Sequence, residues 1–562
     1  MPDRIPLTQG RRTWDRLVRI LAAAPAATFL LLFVLLPVAI LVIASLRMAG
    51  GPAGLETGLL GPSLGAQVAR GAFRNSLVQG ALSSLFAVLW GYPAGLFVGR
   101  WAFPGRRAFL SLLLVPFLLP SLVMVLGIEE LFGAQGWLGV LLPSLQILGS
   151  GLPGIVLVNV LYNAPIVALF TANSVRGIPR HMEEAAAVLG ARPHRIFGTV
   201  WARPSLRGAG MGALLTFLFS FLGFAAPLIL GGPAQYTVED WIYALYKLVG
   251  FQGPILASDL AVWTLGFLAV PVVVYAFLSR GTILWSRTGA AGTAPPPPRA
   301  RTWGWGVGAA ATLALALLET GLLAAILLAS VRGTTGTWSL SDWSLLLSPR
   351  ATGAVGISVG AALGNTFLFA LLVAGITVGI AIPMGLPSLR RSAAGDWLRG
   401  ASFLPLLVSP IILALAVWTF WGPTLGAPGT LWMLIVASQA TLALPFVLQA
   451  VGSSFRGQPQ TYLDAAKTLG SGPWGVLRDV VAPLARPALV TSALFALAMS
   501  FGEFAATNFL YIPQYATLVV MMYGMEGHRL FPAAEALGAL LVLVTLAAFG
   551  ALVHGGEVSG AR

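Results

Sequence analysis

Cysteine is absent from this 562-residue chain. Disulfides, thiolate metal sites, thiol nucleophiles and a lipidated N-terminal Cys are thereby excluded. Charge is scarce as well, with Asp, Glu, Lys and Arg making up 9% of the residues. The four histidines, at positions 181, 194, 528 and 554, are too scattered for metal-ligand spacing. Lysine occurs twice, as Lys247 after Tyr246 and Lys467 after Ala466. A P-loop needs Gly-Lys-Ser/Thr to hold phosphates, so a standard nucleotide-hydrolysing loop is missing. Without Cys, clustered His or a carboxylate motif, no catalytic residue is assigned and a membrane-embedded enzyme has no support.

What is abundant is apolar surface: 57% of residues are hydrophobic and the mean hydropathy is +0.86. A soluble domain of this length has no interior large enough to hide so much, so the solvent is lipid. Apolar runs of bilayer-crossing length recur about twelve times. Six lie at roughly 20–46, 74–99, 108–128, 153–175, 208–230 and 256–279. Six more lie at roughly 305–331, 362–386, 400–421, 431–451, 488–511 and 533–554. The expected fold class is an all-α polytopic membrane protein of two tandem six-helix repeats. The first run follows Arg11, Arg12, Arg16 and Arg19 but is too long for a cleaved signal, which predicts an uncleaved first span.

The net charge of +14 raises the question of nucleic acid, and its distribution answers against it. With the N-terminus inside, only seven of the 33 Lys and Arg fall in outer segments: Arg47, Arg70, Arg74, Lys247, Arg332, Arg350 and Arg529. That is the positive-inside asymmetry of a membrane protein, with both termini cytoplasmic.

"RTGAAGTAPPPPRARTWG", Arg287 to Gly304, reads as a semi-rigid cytoplasmic linker between a first repeat, 1–286, and a second, 305–562. Asn75, Pro93, Arg100 and Pro120 meet the same residue 290 positions on, at Asn365, Pro383, Arg390 and Pro410. Pro165, Arg176, Gly177, Pro179, Gly190 and Pro193 do so 280 positions on, at Pro445, Arg456, Gly457, Pro459, Gly470 and Pro473. A constant offset interrupted by one outer-loop deletion marks a tandem repeat. Each half has an even number of spans, so both enter the membrane in the same direction, with a pathway at their interface.

Two polar loops, 177–207 and 457–487, follow the fourth span of each half. "HMEEAAAVLGARPHRIFGTVWARP" runs from His181 to Pro204 and "LDAAKTLGSGPWGVLRDVVAPLARP" from Leu463 to Pro487. Each predicts a short helix ending at a Gly, Gly190 or Gly470, with Thr461 as an N-cap in the second. Taken singly they read as ordinary interfacial helices. Their recurrence at one point of both repeats is what singles them out.

An acid, Ala-Ala, three residues, Gly and a later Pro resemble the EAA loop of ABC importer permeases. Glu184, Ala185, Ala186 and Gly190 carry it in the first half, with Glu183 beside them; Asp464, Ala465, Ala466 and Gly470 carry it in the second. Asp464 stands where the family has Glu, and the first loop has one extra residue before Pro204. The resemblance implies that these loops are coupling helices docking two copies of a separate ABC ATPase, which would bind the ATP and Mg that this chain has no site for. It also implies an external solute-binding protein and a place in a bacterial or archaeal inner membrane. Along nearly the whole chain the sequence resembles the fused, two-repeat permeases of thiamine and iron(III) importers. "FPGRRAFLSLLLVPFLLPSLVMVLGIEELFGAQGWLGVL", from Phe103 to Leu141, is nearest in look to the thiamine members, so thiamine or its phosphates and ferric iron are both expected substrates. The reading from another class is an ion-coupled secondary transporter with twelve spans, which would need neither ATPase nor paired docking loops.

Three residues are candidates for the solute route. Glu503 sits within an apolar span, where a carboxylate must be paired, protonated or facing water, so a route residue and a structural acid both stand. Glu319 in the seventh span carries the same ambiguity. Asn163 precedes Pro165, which frees a backbone carbonyl, but a helix-packing Asn explains it too. No metal site is expected.

Overall fold

The computed structural model describes residues 21–48, 64–113, 119–248, 253–285, 304–332, 337–388, 405 and 408–560. The Arg-rich segment before the first span, the linker up to residue 303 and Arg390 lie outside them. Among the described residues all regular structure is helical, apart from one isolated bridge between Arg332 and Trp338. Long Leu, Ala and Val runs have no other choice in lipid, where a helix satisfies each backbone N–H and C=O within the segment.

In chain order the main elements are α1 (Leu21–Arg47), α2 (Leu64–Arg100), α3 (Ser121–Phe132), α4 (Gly151–Arg176), α5 (Arg180–Val188), α6 (Ala202–Phe221), α7 (Val238–Leu248), α8 (Gly253–Trp285) and α9 (Gly304–Ala329). They continue as α10 (Val359–Ser388), α11 (Pro410–Leu425), α12 (Leu431–Arg456), α13 (Gln460–Thr468), α14 (Arg486–Gly502), α15 (Ala505–Leu510), α16 (Leu518–Gly527) and α17 (Phe531–Gly560). Eight are long and apolar enough to cross a bilayer: α1, α2, α3 with the short helix behind it, α4, α8, α9, α10 and α12. A ninth counts if Pro473–Leu484 and α14, which meet at 75°, form one span.

Three of the other four expected spans are shortened or interrupted. α6 stops at Phe221 and the chain passes through Gly223 and Phe224 without helix; α14 stops at Gly502 and passes through Glu503 and Phe504. The apolar composition runs straight through both breaks, so hydropathy reads one span where the backbone has two pieces. α11 is 16 residues long, whereas α17 runs 30 residues from Phe531 to Gly560.

The helices form two compact units, neither contiguous in sequence. One gathers Met1–Ala44, Leu347–Arg529 and Leu543–Arg562; the other gathers Ser45–Leu346 and Leu530–Val542. In the latter, α4 packs on both α2 and α6, and α9 packs along α2 and α3. In the former, α10 packs on α12 and α14, α11 on α12 and α15, and the π-helical turn Leu31–Leu35 of α1 touches α11 and α12. Trp421 Nε1 donates to the Leu32 carbonyl at 3.1 Å, and the Trp421 ring lies 6.0 Å from that of Phe33. The opening span of each expected half therefore packs with helices from the other side of the linker.

Past each break the helix resumes briefly, and the loop that then leads into α7 or α16 is stitched in the same way in both repeats. Asn75 Nδ2 donates to the carbonyls of Ala234 and Tyr236 at 3.0 and 3.1 Å; its repeat partner Asn365 donates to those of Gln514 and Ala516 at 2.9 and 3.1 Å. The next residue along caps the helix that follows: Ser76 Oγ accepts from Val238 N, and Thr366 Oγ1 from Leu518 N, both at 3.0 Å. Six backbone groups, three in each repeat, are thus satisfied from the second span.

In the first repeat α4 is closely packed on both flanks. A methyl at Gly91 would lie 2.6 Å from the Ala164 carbonyl oxygen, one at Gly95 2.5 Å from that of Ala168, and one at Gly99 2.9 Å from Ala172 Cα. On the other flank, one at Gly208 would lie 2.6 Å from the Phe170 oxygen. Small residues four apart let two backbones meet, which is how helices associate when lipid supplies no hydrophobic drive. Gly95→Val should cost about 1–3 kcal/mol or more through overpacking, measured by thermal unfolding in detergent. Gly71→Ala, whose new methyl meets nothing within 4 Å, should be neutral or stabilising.

Candidate docking helices and polar residues within the spans

The two polar loops fold to one design. α5 begins after Pro179 and α13 after Pro459, and each has nine residues. Thr461, expected as an N-cap, lies inside the first turn instead; Pro459 holds the cap position with no side-chain bond. Both helices end in the same capping geometry. Leu189 N donates to Ala185 O, Gly190 N to Ala187 O and Ala191 N to Ala186 O; Leu469, Gly470 and Ser471 repeat this onto Ala465, Lys467 and Ala466, with all six distances between 2.9 and 3.0 Å. Gly190 and Gly470 take φ of +77° and +87°. That left-handed conformation is the reason for glycine, because an added methyl would meet nothing within 4 Å at either position.

Each helix has an inward and an outward face. Glu183 and Ala186 are half-buried in α5, and their counterparts Leu463 and Ala466 are buried in α13. Glu184, Ala185, Asp464 and Ala465 face outward. Asp464 accepts from Lys467 Nζ at 3.0 Å and Gln460 Nε2 at 3.3 Å within its own helix, exposed contacts of small energetic weight. At the capped ends stand large apolar side chains with almost no cover: Val188 is 87% exposed, Leu189 86% and Leu469 86%. Tyr462 and Trp474 add exposed aromatic surface beside the second helix. Such bare apolar groups on polar loops are what a partner surface would cover.

The extra residue before Pro204 does not lengthen the first loop. Pro193 to Ser220 and Pro473 to Ser500 have the same separation, 220 − 193 = 500 − 473 = 27 positions. Both returns to the membrane pass through a π-helical turn, Phe197–Trp201 and Val476–Val481, ending at corresponding residues. The offset is local to the prolines.

Glu503 is bonded on all sides. Its Oε1 accepts from Ala506 N at 2.7 Å, and its Oε2 accepts from Thr507 N at 2.9 Å and from the Thr507 hydroxyl. The carboxylate thus caps α15, whose N-terminal amides and dipole favour a negative charge. Gln439 Nε2 donates to Thr507 Oγ1 at 2.8 Å and Gln439 Oε1 accepts from Ser500 Oγ at 2.6 Å, extending the network to α12 and α14. The matching place in the first repeat is Gly223, with Asn159 opposite Gln439. Asn163 Nδ2 donates to the Asn159 carbonyl on its own helix at 2.8 Å and to Ser220 Oγ on α6 at 3.5 Å. Glu319 is buried, and neither of its carboxyl oxygens has a hydrogen-bond partner among the described residues. Asn163 and Glu319 belong to one compact unit and Glu503 to the other.

Sequence reasoning missed the companions of these residues. Gln439, Ser500 and Thr507 carry no motif, and Gln439 lies 61 and 68 positions from its partners. Arg100 carried a repeat match but no partner. It pairs with Glu183 Oε2, and its guanidinium carbon sits 4.8 Å from the centre of the Trp201 ring. Glu503→Ala should lower unfolding stability by about 1–2 kcal/mol through loss of the cap, with Glu503→Gln losing less. A variant with unchanged unfolding but impaired transport would move Glu503 to the solute route.

A family model described as "binding-protein-dependent transport system inner membrane component" matches residues 91–284 and again 354–554. The thiamine transport system permease protein ThiP of Escherichia coli K12 is 27% identical over 466 residues, covering 81% of this chain and 83% of that protein. Its namesake from Haemophilus influenzae is 23% identical over 484 residues, covering 83% and 85%. A probable molybdenum ABC transporter permease protein of Haloferax volcanii is 32% identical over 231 residues, covering 41% of this chain and 79% of that protein.

Proposed function

This chain belongs to the family of binding-protein-dependent transport system inner membrane components, and on that premise we propose that α5 and α13 are its coupling helices, each docking one copy of a separate ABC ATPase. The supporting observation is the pair of like-capped helices presenting Val188, Leu189 and Leu469 bare to their surroundings. Nucleotide and Mg are held by those ATPase subunits, and this chain forms the route. An external binding protein delivers the solute. Closure of the two ATPase subunits on ATP draws the docking helices with it and alternates access across the membrane.

The solute we assign is thiamine or a phosphate of it. Support comes from the name shared by seven similar proteins, each covering at least 81% of this chain. Reconstituted with its ATPase, the chain should hydrolyse ATP faster when a thiamine-loaded binding protein is added. Stimulation by an iron-loaded protein instead would reassign the solute, and transport driven by a proton gradient without any ATPase would end the ABC mechanism.

Replacing Val188 and Leu189 together by Ser should remove about 1.5–3 kcal/mol of docking per covered side chain. Co-purification of the ATPase measures that loss. Gly190→Val or Gly470→Val, which force a branched residue into a left-handed backbone, should break the cap and uncouple hydrolysis from transport. Unchanged coupling in both would remove the glycines from the mechanism.

A further inference from the structure

The two docking helices share their caps but not their anchors. In the first, Glu183 on the inward face of α5 pairs with Arg100, the last residue of α2. The Arg100 guanidinium also lies over Trp201, the last residue of the π-helical return. Side-chain exposure at the pair is 15% and 14%, so water is largely excluded. Trp101 meets the edge of Trp201 at 5.9 Å, and Tyr92 and Ser205 hydroxyls bond at 3.0 Å, adding two more ties between α2 and the chain leaving the loop. One cation therefore holds both flanks of the first docking loop to the end of the second span. In the second repeat Arg100 has the counterpart Arg390, which lies outside the described residues, but its two partners do not recur: the residues corresponding to Glu183 and Trp201 are Leu463 and Val481, both buried and offering neither carboxylate nor ring. α13 packs there on the π-helical turn that ends at Val481.

The other end of this linkage is rigid. α2 meets α4 along Gly91, Gly95 and Gly99, where the backbones leave no space for a methyl. Gly99 is the neighbour of Arg100, so the cation projects from the last turn of that seam. A displacement of α5 is thus passed to a locked pair of helices through a charge-assisted, partly desolvated contact. In the second repeat the position corresponding to Gly91 is Ala381 and that corresponding to Gly95 is Gly385.

We propose that Arg100 is a positioning residue that ties the first docking helix to the second span, so that the two docks are unequal: the first seated through an ion pair and a cation–π contact, the second through aliphatic packing at Leu463 and Val481. The proposal rests on the docking reading above, and the experiment separates the two. The chain lacks cysteine, so single cysteines at the corresponding positions Ala187→Cys and Lys467→Cys report on each dock by cross-linking to the ATPase subunit in the reconstituted full complex. No cross-link from either position would sink the docking reading itself.

With docking established, Arg100→Met and Glu183→Gln should each reduce cross-linking from position 187, and solute moved per ATP, by about fivefold or more. Cross-linking from position 467 should stay within about twofold. The double variant Arg100→Met with Glu183→Leu gives the first dock the apolar character of the second and should recover most of the lost coupling. Were the single variants too unstable to assemble, recovery in the double variant would still carry the result. Equal loss at both positions, or full coupling in Arg100→Met, would overturn the unequal-dock proposal and leave docking intact.

Discussion

A helix that breaks inside a bilayer frees N–H and C=O groups that lipid has no means of satisfying. Much of the polar chemistry within these spans is arranged around that constraint. The fifth and eleventh spans break after Phe221 and Gly502, and a second non-helical stretch follows before α7 and α16. In that second stretch Asn75 and Asn365 each donate to two carbonyls, while Ser76 and Thr366 accept one amide each. Glu503 takes two amides at the start of α15. A carboxylate that looks costly by hydropathy is, in this setting, part of the repair of the backbone.

The same constraint explains why the repeats agree at some positions and differ at others. Several positions that serve the backbone are kept in kind, Asn with Asn, Ser with Thr and Gly190 with Gly470, although the capping Glu503 has Gly223 as its counterpart. Positions that serve packing are free to change, provided volume and polarity change together. Glu183, Arg100 and Trp201 form a polar set in the first repeat; in the second, Arg390 corresponds to Arg100, while Leu463 and Val481 replace the acid and the ring. An ion pair is worth little when exposed and more when water is excluded, so the polar version needs the enclosing aromatic ring that Trp201 supplies.

Legibility followed distance along the chain. The paired short helices α5 and α13 were readable because acid, Ala-Ala and Gly lie within one short segment and recur after a fixed offset. The left-handed conformation at Gly190 and Gly470 was readable for the same reason. Thr461 misled because a Ser or Thr near a helix start suggests a cap, while the Pro two residues before it sets the boundary. The span limits around Gly223 and Glu503 were not readable, since hydropathy averages over a break of two residues. Neither was the exchange of opening spans: nothing local in "LLFVL" says that Leu32 will accept a hydrogen bond from Trp421, 389 positions away.

By itself the sequence determined that the chain lives in lipid, that it is doubled, that it carries no nucleotide-hydrolysing loop, and that two polar loops match. Each of these rests on composition, periodicity or offset, quantities that need no knowledge of which residues meet. Only the tertiary structure decided that Asn75 and Asn365 hold the loops ahead of α7 and α16, that Glu503 caps a helix, and that α5 is tied to Arg100 across 83 positions. Those pairings depend on how helices cross, and a helix records in its sequence which face is apolar but not which neighbour that face will meet.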